Sequence, residues 1–113
     1  MPDNIRPMAY DEVLADRVRE RLPGRAEKPM FGVRAFLTDG NLTVCVQAGG
    51  LLVRLGPDGA ARALAEPGVR LFDMGGRPMR GWVLVATDRL DDEGLDTWLA
   101  AATAFVATLP AKK

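Results

Sequence analysis

Neither histidine nor serine occurs anywhere in this chain, and cysteine occurs once, at Cys45. Those absences exclude Ser-His-Asp and Cys-His nucleophilic catalysis, a histidine general base and a zinc site built on Cys and His. A lone cysteine forms no internal disulfide. No stretch approaches the roughly 20 apolar residues that span a bilayer. The opening MPDNIRPMAY lacks the apolar centre and small-residue cleavage site of a signal peptide. Neither G-x-x-x-x-G-K-[ST] nor G-x-G-x-x-G appears, so both standard nucleotide loops are missing. Charge of one sign is missing too. Fifteen Lys plus Arg balance fifteen Asp plus Glu, so no overall field draws the chain to nucleic acid or anionic lipid. A cytoplasmic protein without catalytic residues, cofactor, metal or membrane partner is the expectation.

What remains is ordinary globular material: 113 residues, 48% apolar and 27% charged. A chain of that size hides roughly two-thirds of its unfolded surface and supports one core. Residues 1–113 therefore read as one domain, with 1–8 and 111–113 as frayed ends. Tyr10, Val13, Leu14, Val18 and Leu22 recur at helical spacing, and Pro23-Gly24 stops that helix. The stretch from Lys28 to Leu55 reads as three strands. Asp39-Gly40-Asn41 and Ala48-Gly49-Gly50 supply turn residues, and Gly32 marks a bend in the first strand. In the middle strand Leu42, Val44 and Val46 alternate with Thr43, Cys45 and Gln47, which predicts one core face and one wetter face. A short helix follows in GPDGAARALAEPG, then strands near Val69–Met74 and Trp82–Thr87. The last helix has Asp91 as its N-cap and Leu90 poised to pack on Leu95. Its stripe runs through Leu95, Trp98, Leu99, Ala102, Phe105, Val106 and Leu109 to Pro110. The order α-β-β-β-α-β-β-α predicts a two-layer α+β fold: an antiparallel sheet of about five strands with helices on one face.

Three features invite a functional reading. In DMGGRPMRGWVLV, Gly75-Gly76 can turn backbone N–H groups inward as an anion nest, with Arg77 and Arg80 adding guanidinium forks. The same residues also serve simply as the corner joining two strands. Arg34, Arg54 and Arg70 fall within predicted strands. If the open sheet face carries them beside Arg77 and Arg80, a basic surface results, with Phe31 or Trp82 available to stack on bases. The acidic string DRLDDEGLD fails as a calcium loop. With Gly94 in the sixth place, the first ligand place falls on Arg89 and the last on Ala100. Cys45 reads as an inert packing residue or as a reactive thiol on the polar side of its strand.

The strings EKPMFGVRAFLTDGN, LLVRLG and FDMGGRPMRGWV resemble segments of the TfoX N-terminal domain family, regulators linked to bacterial competence. The helix in MAYDEVLADRVRERL resembles the family's opening. Its signature falls on Lys28, Met30, Phe31, Gly32, Arg54, Gly56, Gly76, Arg77, Pro78, Met79, Gly81 and Trp82. The chain departs at Pro29, where lysine is usual, at Val33, where a second glycine is common, and at Arg80, which replaces lysine. The resemblance implies a two-layer domain that acts in gene regulation through other proteins, in some members alongside the cyclic-AMP receptor protein.

Taken together, the sequence points to a non-enzymatic protein-interaction module, monomer or homodimer, with an unidentified protein partner. Candidate contact residues are Lys28, Phe31, Gly32, Arg34, Arg54, Gly76, Arg77, Arg80 and Trp82. Two alternatives stay open: nucleic-acid contact through the arginine face, and an anionic small ligand or enzyme chemistry at the Gly-Gly-Arg-Pro loop.

Overall fold

The computed structural model describes residues 12–22, 26–30, 33–47, 49–74 and 77–110. Phe31, Gly32, Gly76, the Pro23-Gly24 helix stop and both expected frayed ends lie outside the described residues. The elements are α1 (Glu12–Arg21), β1 (Ala26–Met30), β2 (Val33–Thr38), β3 (Asn41–Gln47), β4 (Gly50–Arg54), α2 (Gly56–Ala63), β5 (Val69–Met74), β6 (Arg77–Ala86) and α3 (Asp92–Val106), with a 3-10 turn at Thr87–Arg89. The six strands form one sheet in the order β1-β2-β3-β4-β6-β5, and every pairing is antiparallel. The α+β class is as expected, but the strand count is one higher. The first expected strand is two strands, β1 and β2, because the chain reverses between Met30 and Val33, where a bend is expected at Gly32.

Local chemistry sets the turns. Asp39 (φ 52°) and Gly40 (φ 81°) form a two-residue loop with both central residues at positive φ, the turn whose twist suits a hairpin. Asn41 then donates its side-chain amide to the Pro110 carbonyl at 2.8 Å, pinning this turn to the chain just beyond α3. The cap on α3 forms as expected: the Asp91 carboxylate accepts from the Gly94 backbone N–H at 2.7 Å. Leu90 and Leu95 are both buried beneath it.

All three helices pack on one face. Leu14, Val18, Ala60, Leu95, Leu99 and Ala102 meet Phe36, Val44, Val46, Leu51, Val53, Val83 and Val85 in a single core. Val13, expected on the apolar face of α1, is instead 70% exposed. At 3.6 residues per turn it lies roughly 150° round from the midpoint of the Leu14, Ala15, Val18 and Leu22 side that packs. Ion pairs latch α1 in place. Arg17 and Arg21 reach Asp92 at 3.1 and 2.9 Å, Arg21 reaches Asp96 at 2.7 Å, and Arg19 reaches Glu27 on β1 at 2.6 Å.

The opposite sheet face is not the wetter side that strand alternation predicts. Ala35, Cys45, Leu52 and Trp82 are buried there, with Val33, Leu37, Leu42, Phe72 and Met79 packed around them. Among the described residues this second cluster is built from strand side chains alone. Leu42 belongs to it, not to the Val44 and Val46 side. Phe36 pairs with Val44 and Leu37 with Leu42, so Thr43 is an extra residue that flips the alternation. Thr43 is fully buried, its Oγ1 2.9 Å from the Thr38 hydroxyl and 3.1 Å from the Asn41 carbonyl oxygen.

Candidate interaction surfaces

The end of β4 and the middle of β6 form one knot. Arg54 pairs with Trp82 across the ladder, and its guanidinium carbon sits 5.7 Å from the indole centroid. That distance is within cation–π range. Arg54 also donates to the Leu42 carbonyl at 3.2 Å. One residue on, the Leu55 N–H donates to the Gly81 carbonyl at 2.8 Å. Gly81 (φ 88°) and Gly56 (φ 80°) face each other so closely that a Cβ on Gly81 would lie 3.2 Å from the Gly56 carbonyl carbon. A Cβ on Gly56 would in turn lie 2.4 Å from the Phe105 ring. Arg54, Gly56, Gly81 and Trp82 therefore bind strand β4, the start of α2 and strand β6 to one another.

This arrangement changes the expected picture of the arginines. Trp82 is only 8% exposed, so its ring is not a free stacking platform. Arg34 and Arg54 occupy opposite faces. Arg34 shares the helix-bearing side with Glu27, whose carboxylate lies 3.6 Å from its Nε, whereas Arg54 packs into the second cluster. A single water-facing arginine surface is thus not formed. Arg70 and Arg80 are exposed. Lys28 is exposed on β1, four strand steps from β6, or roughly 19 Å at the usual spacing. Lys28 and Arg34, on β1 and β2, and Arg77 and Arg80, on β6, are therefore separate places. Arg77 is placed by its backbone, opposite Met74 at the start of β6.

Cys45, expected on a more polar side, is 3% exposed, and burial pushes its thiol up to about 11. A thiol so protonated is a packing group and a poor nucleophile. Arg19 hydrogen bonds hold the Glu27 carboxyl below its usual value. Among the described residues no cluster of three or more His, Cys, Asp or Glu is placed to hold a metal ion, and no helix is long and apolar enough to cross a membrane.

A sizeable hollow lies elsewhere. A cleft of about 860 Å³ opens between α2 and α3, floored by Leu55, Ala63, Trp98 and Phe105. Among the described residues, neither Arg77 nor Pro78 of the Gly-Gly-Arg-Pro loop lines it. Sequence reasoning missed it because its residues run from Leu55 to Phe105 and come together only once α2 and α3 are laid on the same face of the sheet. The acidic rim in DRLDDEGLD was the legible trace.

Searches of curated proteins and of solved structures return no significant match. The family model of the TfoX N-terminal domain does match, over residues 18–106. That span runs from α1 to the last residue of α3 and includes the whole Arg54–Gly56–Gly81–Trp82 knot, so the chain belongs to the TfoX N-terminal domain family.

Proposed function

We propose that this domain is a non-enzymatic protein-interaction module serving transcription regulation of the competence type. Membership of the TfoX N-terminal domain family carries the reading. The chain's chemistry supports it: no histidine or serine is available for catalysis, and the one thiol is buried. The Gly-Trp and Arg-x-Gly strings serve as structural fasteners, which frees them from any need to touch a ligand. Contact with a partner then falls to other, exposed surfaces of the domain; Lys28 on edge strand β1, Arg70 on edge strand β5 and Arg80 on β6 are among the side chains left free for it.

Affinity purification of the tagged chain from its native cell, with and without nuclease, tests the proposal. A protein partner recovered equally in both arms is expected. Loss of every partner on nuclease treatment overturns it in favour of nucleic-acid contact, whose binding falls with salt at a slope of about −0.9 per phosphate neutralised.

A further inference from the structure

The cleft between α2 and α3 has the anatomy of an interface. Its floor carries the half-buried rings of Trp98 and Phe105, the residue types that anchor protein contacts. The α3 wall is made of Thr97, Ala101 and Ala104, and α2 answers with Gly59 and Ala63. Small residues on both walls let another backbone come close, since the separation of packed helices, roughly 8–10 Å between axes, is set by the side chains at the contact. The rim is charged and exposed. Four carboxylates (Glu66, Asp88, Asp91 and Glu93) stand against two guanidiniums (Arg62 and Arg89) on a chain of zero net charge. Among the described residues none of these six makes an ion pair.

We infer that this cleft is a docking groove for an amphipathic helical segment of a partner protein, apolar on one side and flanked by Lys or Arg. The volume also lies in the small-ligand range, but such sites fix their ligand with a few placed, sheltered polar groups. Here every charged lining residue is exposed and the buried lining residues are apolar, the arrangement of a polar rim around an apolar centre. The excess of carboxylates selects a cationic helix over an acidic one. The inference rests on the interaction-module reading and names the surface and the chemistry of the partner.

The test uses the full chain and a labelled Leu/Lys amphipathic peptide of about 15 residues, long enough to form a helix on binding. A Leu/Glu peptide of the same pattern is the control. Ala101→Arg and Ala104→Arg each place a long cation in the groove from an exposed position, and circular dichroism checks that both variants fold. The expected result is binding of the Leu/Lys peptide, weakened about tenfold or more by either substitution and by the exchange of Lys for Glu. No binding, equal binding of the two peptides, or binding indifferent to both substitutions overturns the groove. A wild-type dimer that Ala104→Arg dissociates also overturns it, assigning the groove to a second copy. The purification repeated with Ala104→Arg separates the two proposals. A nuclease-resistant partner retained by the variant removes the groove and leaves the module, whereas none recovered by wild type removes the module as well.

Discussion

Replacing Gly56 by alanine probes the knot most directly. Its φ of 80° is strained for any residue with a Cβ, at about 1–2 kcal/mol. The new Cβ would also sit 2.4 Å from Cε1 and 2.8 Å from Cδ1 of Phe105. The ring must move, and overpacking of this kind costs about 1–3 kcal/mol. Phe105 borders the cleft, so the ring has somewhere to go, and the lower half of that range applies. The sum is about 2–4 kcal/mol out of the roughly 6–17 kcal/mol expected of a 113-residue domain. Urea unfolding of wild type, Gly56→Ala, Phe105→Ala and the double variant forms a complete cycle. In the Phe105→Ala background the glycine substitution should cost only the backbone part, about 1–2 kcal/mol. An equal cost in both backgrounds would refute the ring contact, and a cost under about 0.5 kcal/mol in wild type would refute the strained backbone as well.

Other outcomes follow from single contacts. Arg54→Ala should lower stability by about 1–3 kcal/mol through the lost cation–π contact and the lost bond to the Leu42 carbonyl, read by urea midpoint. Cys45 should resist iodoacetamide at pH 8 in the folded chain and react fully in denaturant, since its thiol is shut in and raised to about 11; fast labelling of native protein would contradict the second cluster. Glu27 has a folded pKa below its ordinary 4.5, so its contribution is complete above that value and is lost as pH falls through the folded pKa. Glu27→Gln should therefore flatten the acid limb of the stability profile without changing its shape above about pH 6. Gly50→Ala should be severe, because its Cβ would meet the Val85 carbonyl oxygen at 2.2 Å and force β4 away from β6.

The parts legible in sequence were those fixed by near neighbours. Asp91 and Gly94 declare the start of α3 within four residues, and Asp39-Gly40 declares a hairpin in two. The antiparallel sheet follows from such short connections. What escaped depended on pairings made at a distance. Thr43 looks like any other alternating position until Leu37 opposes Leu42, and only then does the period slip. The same blindness hid the side on which each arginine lies: Arg34 and Arg54 acquire a face only from their cross-strand partners, Val46 and Trp82. Trp82 resembled a binding aromatic because its string is distinctive, yet the distinctiveness reflects the demands of a crowded junction. The cleft stayed out of reach because no local pattern announces that residues of α2 and α3, far apart in the chain, will line one hollow.

Strand β6 lies between β4 and β5 although it comes after both in the chain. A ribosome delivering this polypeptide therefore exposes β4 as a bare edge, and then β5 with no neighbour at all, until residues 77–86 emerge and slot between them. The nascent domain can bank a four-strand ribbon early, but the sheet completes in one late insertion. Slowing translation just after Arg70 should thus prolong a sticky, half-built state more than slowing it anywhere before Gln47.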